Sequence, residues 1–310
     1  MIGGRSSHPV AAVAGGMAAP LSRARHQALV TLAEQAVPLV LGLLDTAREA
    51  LLKDRDLLFS LPLTTWYLGT VKDGALDLYD GLLRLRGPDG TTVDFSEDDW
   101  MKYYEEETTS TSYAKPVFIR LPSGERVAAR VGALARLNCA DRIATPLAQA
   151  ELERFRTLGL FPCHQTVLYH YARLVELLHV AERLTEIVKD PEILSPNVRS
   201  LAKQAPRSAS AHVEAPRGTL IHHYEVDGDA IVTRANLIVA TQQNITSVNQ
   251  TIALSAERYL TRGDSELLNG IEFGIRCYDP CLSCATHRLG DMKLEVIVRR
   301  DGQVIREARR

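Results

Sequence analysis

The densest set of metal-binding side chains lies in one nine-residue stretch, Asp279-Pro280-Cys281-Leu282-Ser283-Cys284-Ala285-Thr286-His287. Two cysteines separated by two residues can turn both sulfurs toward one ion, and a histidine three positions later can reach the same region. Thiolates are soft ligands that suit zinc, the iron of an iron–sulfur cluster, copper(I) or nickel. Two buried thiols beside a surface histidine would give the same letters. Zinc would want a fourth ligand, and no second CxxC exists among the five cysteines, so a four-cysteine site within one polypeptide is excluded. Cys139, Cys163 and Cys277 fall in no motif, and Cys277 reads as a small buried filler. His170 and His179 share a helix nine residues apart, and His222 and His223 face opposite ways on a strand, so these read as core or surface residues.

The elements that must position this stretch read as mainly helical, with small antiparallel β hairpins, in a single α+β domain. Apolar residues at helical spacing from Ala28 to Leu52 predict a long helix over 22–53, kinked or split at Pro38. Residues 60–130 turn β-rich, with short strands at 64–71 and 83–95 and turn signals at Asp73-Gly74, Pro88-Asp89-Gly90 and Pro122-Ser123-Gly124. Asp98–Glu106 reads as a charged surface stretch. Helices are expected at 147–158, 166–189, 244–260 and 265–276. Hairpins are expected around Asp227-Gly228-Asp229 and Arg300-Asp301-Gly302. Met1–Leu21 reads as irregular chain.

Composition narrows the function classes. With 36 Lys plus Arg against 38 Asp plus Glu, the net charge of −2 argues against general affinity for nucleic acid or an acidic membrane. An apolar fraction of 45% fits a packed globular protein and not a disordered one. The most apolar run, Ala36–Leu44, is far short of the roughly 18–20 residues a bilayer needs, so no membrane span is expected. Gly15-Gly16, Pro9 and Pro20 interrupt any signal-peptide core, and an odd number of cysteines does not suit a disulfide framework. The expected compartment is the reducing cytoplasm.

DPCLSCATH resembles the C-terminal metal-binding motif of the large subunit of nickel–iron hydrogenases. Other segments are similar in the same order: HPVAAVAGG at 8–16, GALARLN at 132–138, YHYARL at 169–174, EAPRG at 214–218 and NLIVATQQN at 236–244. The flavour is that of the cytosolic branch serving NAD(P), F420 or heterodisulfide-linked partners. The resemblance implies a helical large-subunit core and reversible H2 oxidation. It implies that Cys281 is a terminal nickel thiolate and Cys284 the thiolate bridging nickel and iron. Arg217 would sit above the open metal face as a base for heterolytic cleavage. That role demands strong positioning, because arginine in water has a pKa above about 12. Pro216, Ala240 and Thr241 would wall the cyanide and carbonyl ligands of the iron. His287 and the carbonyl of Leu237 would hold a magnesium or iron ion.

Two departures accompany these matches. The family's upstream RxCxxC segment, which supplies the other nickel thiolates, has no counterpart in this sequence, nor do the upstream acidic residues of the proton path and magnesium site. The chain therefore reads as N-terminally truncated or as one half of a split subunit, residues 1–287 being an incomplete large-subunit domain. Residues 288–310 read as an extension removed by a maturation endopeptidase after nickel-insertion proteins have acted. The implied partners are an iron–sulfur small subunit, needed because no cysteines are spare for a cluster, and a separate N-terminal half carrying the other CxxC. Two further readings fit the residues: a metal-free structural subunit of a hydrogenase-like or complex I-like assembly, and a zinc-binding interaction module.

Overall fold

A computed structural model describes residues 3, 10–110, 114–159, 161–201, 206–281 and 295–309. Cys284, His287, and His8 with Pro9 lie outside the described residues.

After a small bridge, β1 (Ala12–Val13) with β2 (Gly16–Met17), the chain enters α1 (Arg23–Lys53), capped by the Ser22 side chain, and the short α2 (Arg55–Leu58). Pro38 does not split α1. It lies on the solvent side of the helix, where the carbonyl it leaves unbonded can take water. From Arg23 to Leu51 the helix is long and apolar enough to match a membrane span by length and composition, a test that a core helix also passes. Ala28, Leu29, Val30, Leu32 and Ala33 extend the Ala36–Leu44 run toward the N-terminus. One face of α1, with Ala33, Val40 and Leu44, is buried and packs on α6 (Tyr169–Ile187), while Leu32, Leu39 and Leu43 stay exposed.

The β-rich region forms β3 (Trp66–Lys72), β4 (Ala75–Leu76), β5 (Leu82–Arg86) and β6 (Thr92–Phe95), followed by α3 (Trp100–Tyr103). Next come β7 (Tyr104–Glu106), β8 (Val117–Arg120), β9 (Arg126–Val127) and β10 (Ala129–Arg130). The first sheet runs β10-β3-β5-β6, with β4 on β3, and β7-β8-β9 form a second. One pairing, β10 on β3, is parallel and joins residues more than sixty positions apart, which turn signals cannot reveal. Asp98–Glu106 keeps Asp98, Lys102 and Glu106 at the surface but is not a surface stretch throughout. Trp100 and Tyr104 anchor the second hydrophobic core beside Phe95, whose ring packs edge-on against Tyr104.

The helical half follows. α4 (Ala133–Cys139) is buried along its whole length, and α5 (Pro146–Arg156) starts on a proline that needs no donor there. α6 buries Ala172, Val175, Leu178 and Ala181 at helical spacing. Then β11 (Ser208–Ala215), β12 (Gly218–Val226) and β13 (Val232–Ile238) form an antiparallel sheet. α7 (Ala240–Tyr259), α8 (Asp264–Cys277) and the hairpin β14 (Glu295–Arg300) with β15 (Gln303–Arg309) complete the described chain. α7 begins four residues before the predicted start, because the Gln242 side chain turns back to accept the Val239 N–H at 3.2 Å and caps the helix there. The architecture is the α+β fold expected.

The tightest backbone crossing joins the GALARLN and EAPRG segments. Gly132 (φ +100°) and Gly218 (φ +141°) occupy conformations that favour glycine. A Cβ on Gly218 would meet Val131 Cγ2 at 2.4 Å, and one on Gly132 would meet the Arg217 carbonyl oxygen at 2.8 Å. Gly218→Ala should therefore cost roughly 2–4 kcal/mol, from strain plus overpacking. Gly42→Ala, on the open face of α1 with nothing within 4 Å, should instead stabilise by about 0.5–1 kcal/mol. Urea unfolding of both variants checks the opposite signs.

Candidate metal centre

Three separated stretches converge on one cavity of about 410 Å³. Pro216 and Arg217 come from the β11–β12 turn, Ala240 and Thr241 from the first turn of α7, and Cys281 from beyond α8. Leu220, Val239 and Ile245 add apolar wall, with Gln242, Ala114 and Ala215 at the margins. Five of the residues singled out in the sequence thus line the same space. Leu237 lies elsewhere, on β13 opposite His222, with its side chain exposed.

Each contributor is held from below. α8 ends at Tyr278, and Asp279 follows at φ +51°, the left-handed conformation that closes many helix C-termini; Pro280 then prevents continuation. Tyr278 is buried, exchanges a hydrogen bond with Thr251 Oγ1 at 2.8 Å, and packs its ring 5.0 Å from that of Tyr169. Arg173 donates to the Cys277 carbonyl at 3.1 Å. Cys281 therefore leaves a fixed stub three residues past a buried aromatic anchor, itself half-buried at the cavity.

Arg217 donates from Nε to the Asp279 backbone oxygen at 2.6 Å, with the Asp279 carboxylate 3.5 Å away. This contact ties the two sequence motifs together across 62 residues. At the cavity's other edge, the α7 segment is fixed through three amide side chains. Gln242 bonds Glu106, Gln243 donates to the Thr219 carbonyl at 2.6 Å, and Asn244 grips Val131 through both its N–H and its carbonyl. The first N–H groups of α7 have no partner within the helix and carry the positive end of its dipole.

Sequence reasoning missed the network behind the cavity. Arg136 is buried with Glu176 and Glu214, and Glu214 also accepts from Thr70 N, Thr70 Oγ1 and Thr219 Oγ1. Burial opposes the Arg136 charge, but the two carboxylates more than restore it and raise its affinity for the proton. The available signal was a charged side chain inside the otherwise apolar GALARLN run.

The donor set fits a metal carrying small anionic and neutral ligands. A soft sulfur faces apolar carbon, a guanidinium stands at one edge, and a helix N-terminus suited to anions stands at the other. Among the described residues no group of three histidine, cysteine or carboxylate side chains is placed to hold a metal, and of the expected thiolate and histidine ligands only Cys281 is described.

Comparison with known proteins identifies the family. A family model described as nickel-dependent hydrogenase matches residues 89–287. The chain is 37% identical over 302 residues to a subunit of the F420-non-reducing hydrogenase vhc of Methanococcus voltae, covering 94% of this chain and 63% of that protein. It is 39% identical over 236 residues to NAD-reducing hydrogenase HoxS subunit beta of Cupriavidus necator, covering 73% of this chain and 48% of that one. A crystal structure of an NAD+-reducing [NiFe]-hydrogenase in the H2-reduced state superposes with a TM-score of 0.82 at 34% identity, over 90% of this chain and 63% of the other. The chain thus spans about 63% of the length of that methanogen protein and of that crystallised polypeptide. It belongs to the nickel-dependent hydrogenase large-subunit family.

Proposed function

We propose that this chain forms part of the catalytic subunit of a cytoplasmic nickel–iron hydrogenase that oxidises H2 reversibly. The observation that carries the reading is the convergence of Pro216, Arg217, Ala240, Thr241 and Cys281 on one cavity. Cys281 and Cys284 would hold the nickel–iron pair, whose iron would carry cyanide and carbonyl ligands. When bound, that pair of metals supplies the two-electron chemistry by which H2 separates into hydride and proton.

The chain's own residues supply the surroundings. Pro216, Ala240 and Ile245 exclude water. The Thr241 hydroxyl and the first N–H groups of α7 can donate to an anionic diatomic ligand. Arg217 spends its Nε–H on Asp279, so hydrogen bonds into the cavity come from its terminal nitrogens. In this reading Arg217 is the acid–base residue for heterolytic cleavage, placed with the Asp279 carboxylate 3.5 Å from its Nε. His287 and the Leu237 carbonyl would hold a magnesium or iron ion.

Two thiolates do not complete such a centre, and the other three cysteines cannot be recruited. Cys139 is buried against the Arg84 carbonyl, Cys163 lies in the core beside Tyr67, and Cys277 is buried, its thiol pushed up to about 12 chiefly by desolvation. The remaining ligands therefore come from sequence outside these 310 residues, and electrons leave through an iron–sulfur partner. Nickel-insertion proteins and an endopeptidase acting after His287 belong to the same proposal.

In the assembled enzyme, Arg217→Lys should lower H2-dependent dye reduction roughly 100-fold or more while nickel content is retained. An undiminished rate at full nickel occupancy would remove Arg217 from the mechanism. The 310-residue chain purified alone should hold no nickel–iron centre; stoichiometric nickel with cyanide and carbonyl infrared bands would contradict this. Thiol labelling separates the cysteines by pH. Cys277 should stay unreactive in the folded chain from about pH 7 to 9, because its thiolate forms only as pH nears the raised value, whereas Cys281 labels readily. Mass spectrometry of labelled peptides reads both.

A further inference from the structure

The turn that carries Arg217 has little packing to hold it. Ala215 and Pro216 line the metal-centre cavity on one side and a second cavity of about 400 Å³ on the other, the latter bounded by Arg136, Glu176, Glu214, Leu174 and Asp279. A segment with open space on both sides must be fixed by polar bonds. After Arg217 the fixing is steric, through Gly218 against Val131. Before it, the β11–β12 ladder pairs Ala215 with Gly218, and one side chain adds bonds to the last two carbonyls of the turn.

Arg136 uses all five of its N–H donors. Nε and one terminal nitrogen form a paired contact with Glu176, at 2.5 and 2.7 Å. The other terminal nitrogen donates to Glu214 at 2.8 Å. The two remaining hydrogens go to backbone: the Ala215 carbonyl at 2.9 Å and the Pro216 carbonyl at 3.2 Å. Those are the two carbonyls immediately before Arg217. The carboxylates aim the planar fork, and the fork sets the backbone.

We propose that Arg136 is a positioning residue for Arg217: anchored by Glu176 and Glu214, it locks the Ala215–Pro216 backbone so that the Arg217 guanidinium is held at Asp279 over the metal cavity. This rests on the reading of Arg217 given above, but it concerns geometry and can stand or fall separately. A lysine at 136 keeps a cation yet has three donors in no fixed plane, so it cannot serve two carboxylates and two carbonyls together.

The test follows hydrogen exchange in the full chain labelled with 15N-arginine and 15N-tryptophan. The Arg217 Nε–H signal is assigned by its loss in Arg217→Lys. The Trp100 indole N–H, which donates to Ser210 Oγ at 3.1 Å in the other core, reports general loosening. In Arg136→Lys the Arg217 proton should exchange roughly tenfold faster or more, with the Trp100 proton unchanged. Where that variant does not accumulate folded, Thr219→Val removes one hydroxyl from Glu214 at nearly constant volume and should give a rise of roughly threefold or more. Arg217 exchange within about twofold of wild type, or rising in step with Trp100, overturns the proposal. The hydrogenase assay of Arg217→Lys separately judges the catalytic reading.

Discussion

A guanidinium and two carboxylates taken out of water are costly groups for a fold to bury, and their mutual satisfaction constrains the elements around them. Desolvating each ion costs several kcal/mol, which attraction repays only when the geometry leaves no donor or lone pair idle. Here Arg136 comes from α4, Glu176 from α6 and Glu214 from β11, while Thr70 of β3 and Thr219 of β12 complete the carboxylate shell. Five elements must therefore meet within hydrogen-bond length. The cluster carries one negative charge in excess, two carboxylates against one guanidinium. The next side chain along the turn, Arg217, is cationic, so the imbalance is opposed at short range in sequence.

The cavity owes its chemical asymmetry to where its parts originate. Arg217 and Cys281 are far apart in sequence but meet because the Asp279 carbonyl accepts from Arg217. The opposite side is the start of a long helix, whose N-terminal groups favour negative charge without bringing in a mobile side chain. Between them lie proline, alanine, leucine and isoleucine carbons. Holding the arginine's Nε on the Asp279 backbone oxygen fixes the guanidinium beside this apolar space.

Local chemistry was legible in the sequence, and long-range placement was not. The spacing of Cys281 and Cys284 and the EAPRG turn pointed to the site, and α6 and the turns at Asp73-Gly74 and Asp301-Gly302 follow local rules. The burial of Trp100 and Tyr104 was hidden because acidic neighbours at 97–99 and 105–107 mask two large aromatics that face inward. The start of α7 was hidden because its cap is a glutamine folded back on the preceding residue, in a segment whose β-branched residues favour a strand. Arg136 was passed over because a single charge in an apolar heptad has no periodicity to reveal it. Its partners are 40 and 78 residues away.

α8 links the site to the C-terminal hairpin. At its C-terminal end, Tyr278 and Asp279 deliver Cys281 to the cavity. Toward its N-terminal end, Leu267, Leu268 and Ile271 cover Ala308 of β15, and Arg306 donates to the Leu260 carbonyl and to Asp264 at 2.6 Å. Both ends of the intervening segment are thus fixed to one rigid rod of 14 residues, about 20 Å long at the usual helical rise. Among the described residues, Ala308 and Val296 pack on α8 from the hairpin side, and Arg306 bonds the Leu260 carbonyl and the mostly exposed Asp264 carboxylate. At the other end Tyr278, a buried phenol bonded to Thr251 with its ring tilted against Tyr169, lies three residues from Cys281. Contacts that adjoin the thiol set its position more directly than contacts a helix length away. Losing the hairpin would therefore disturb the placement of Cys281 much less than losing Tyr278 would.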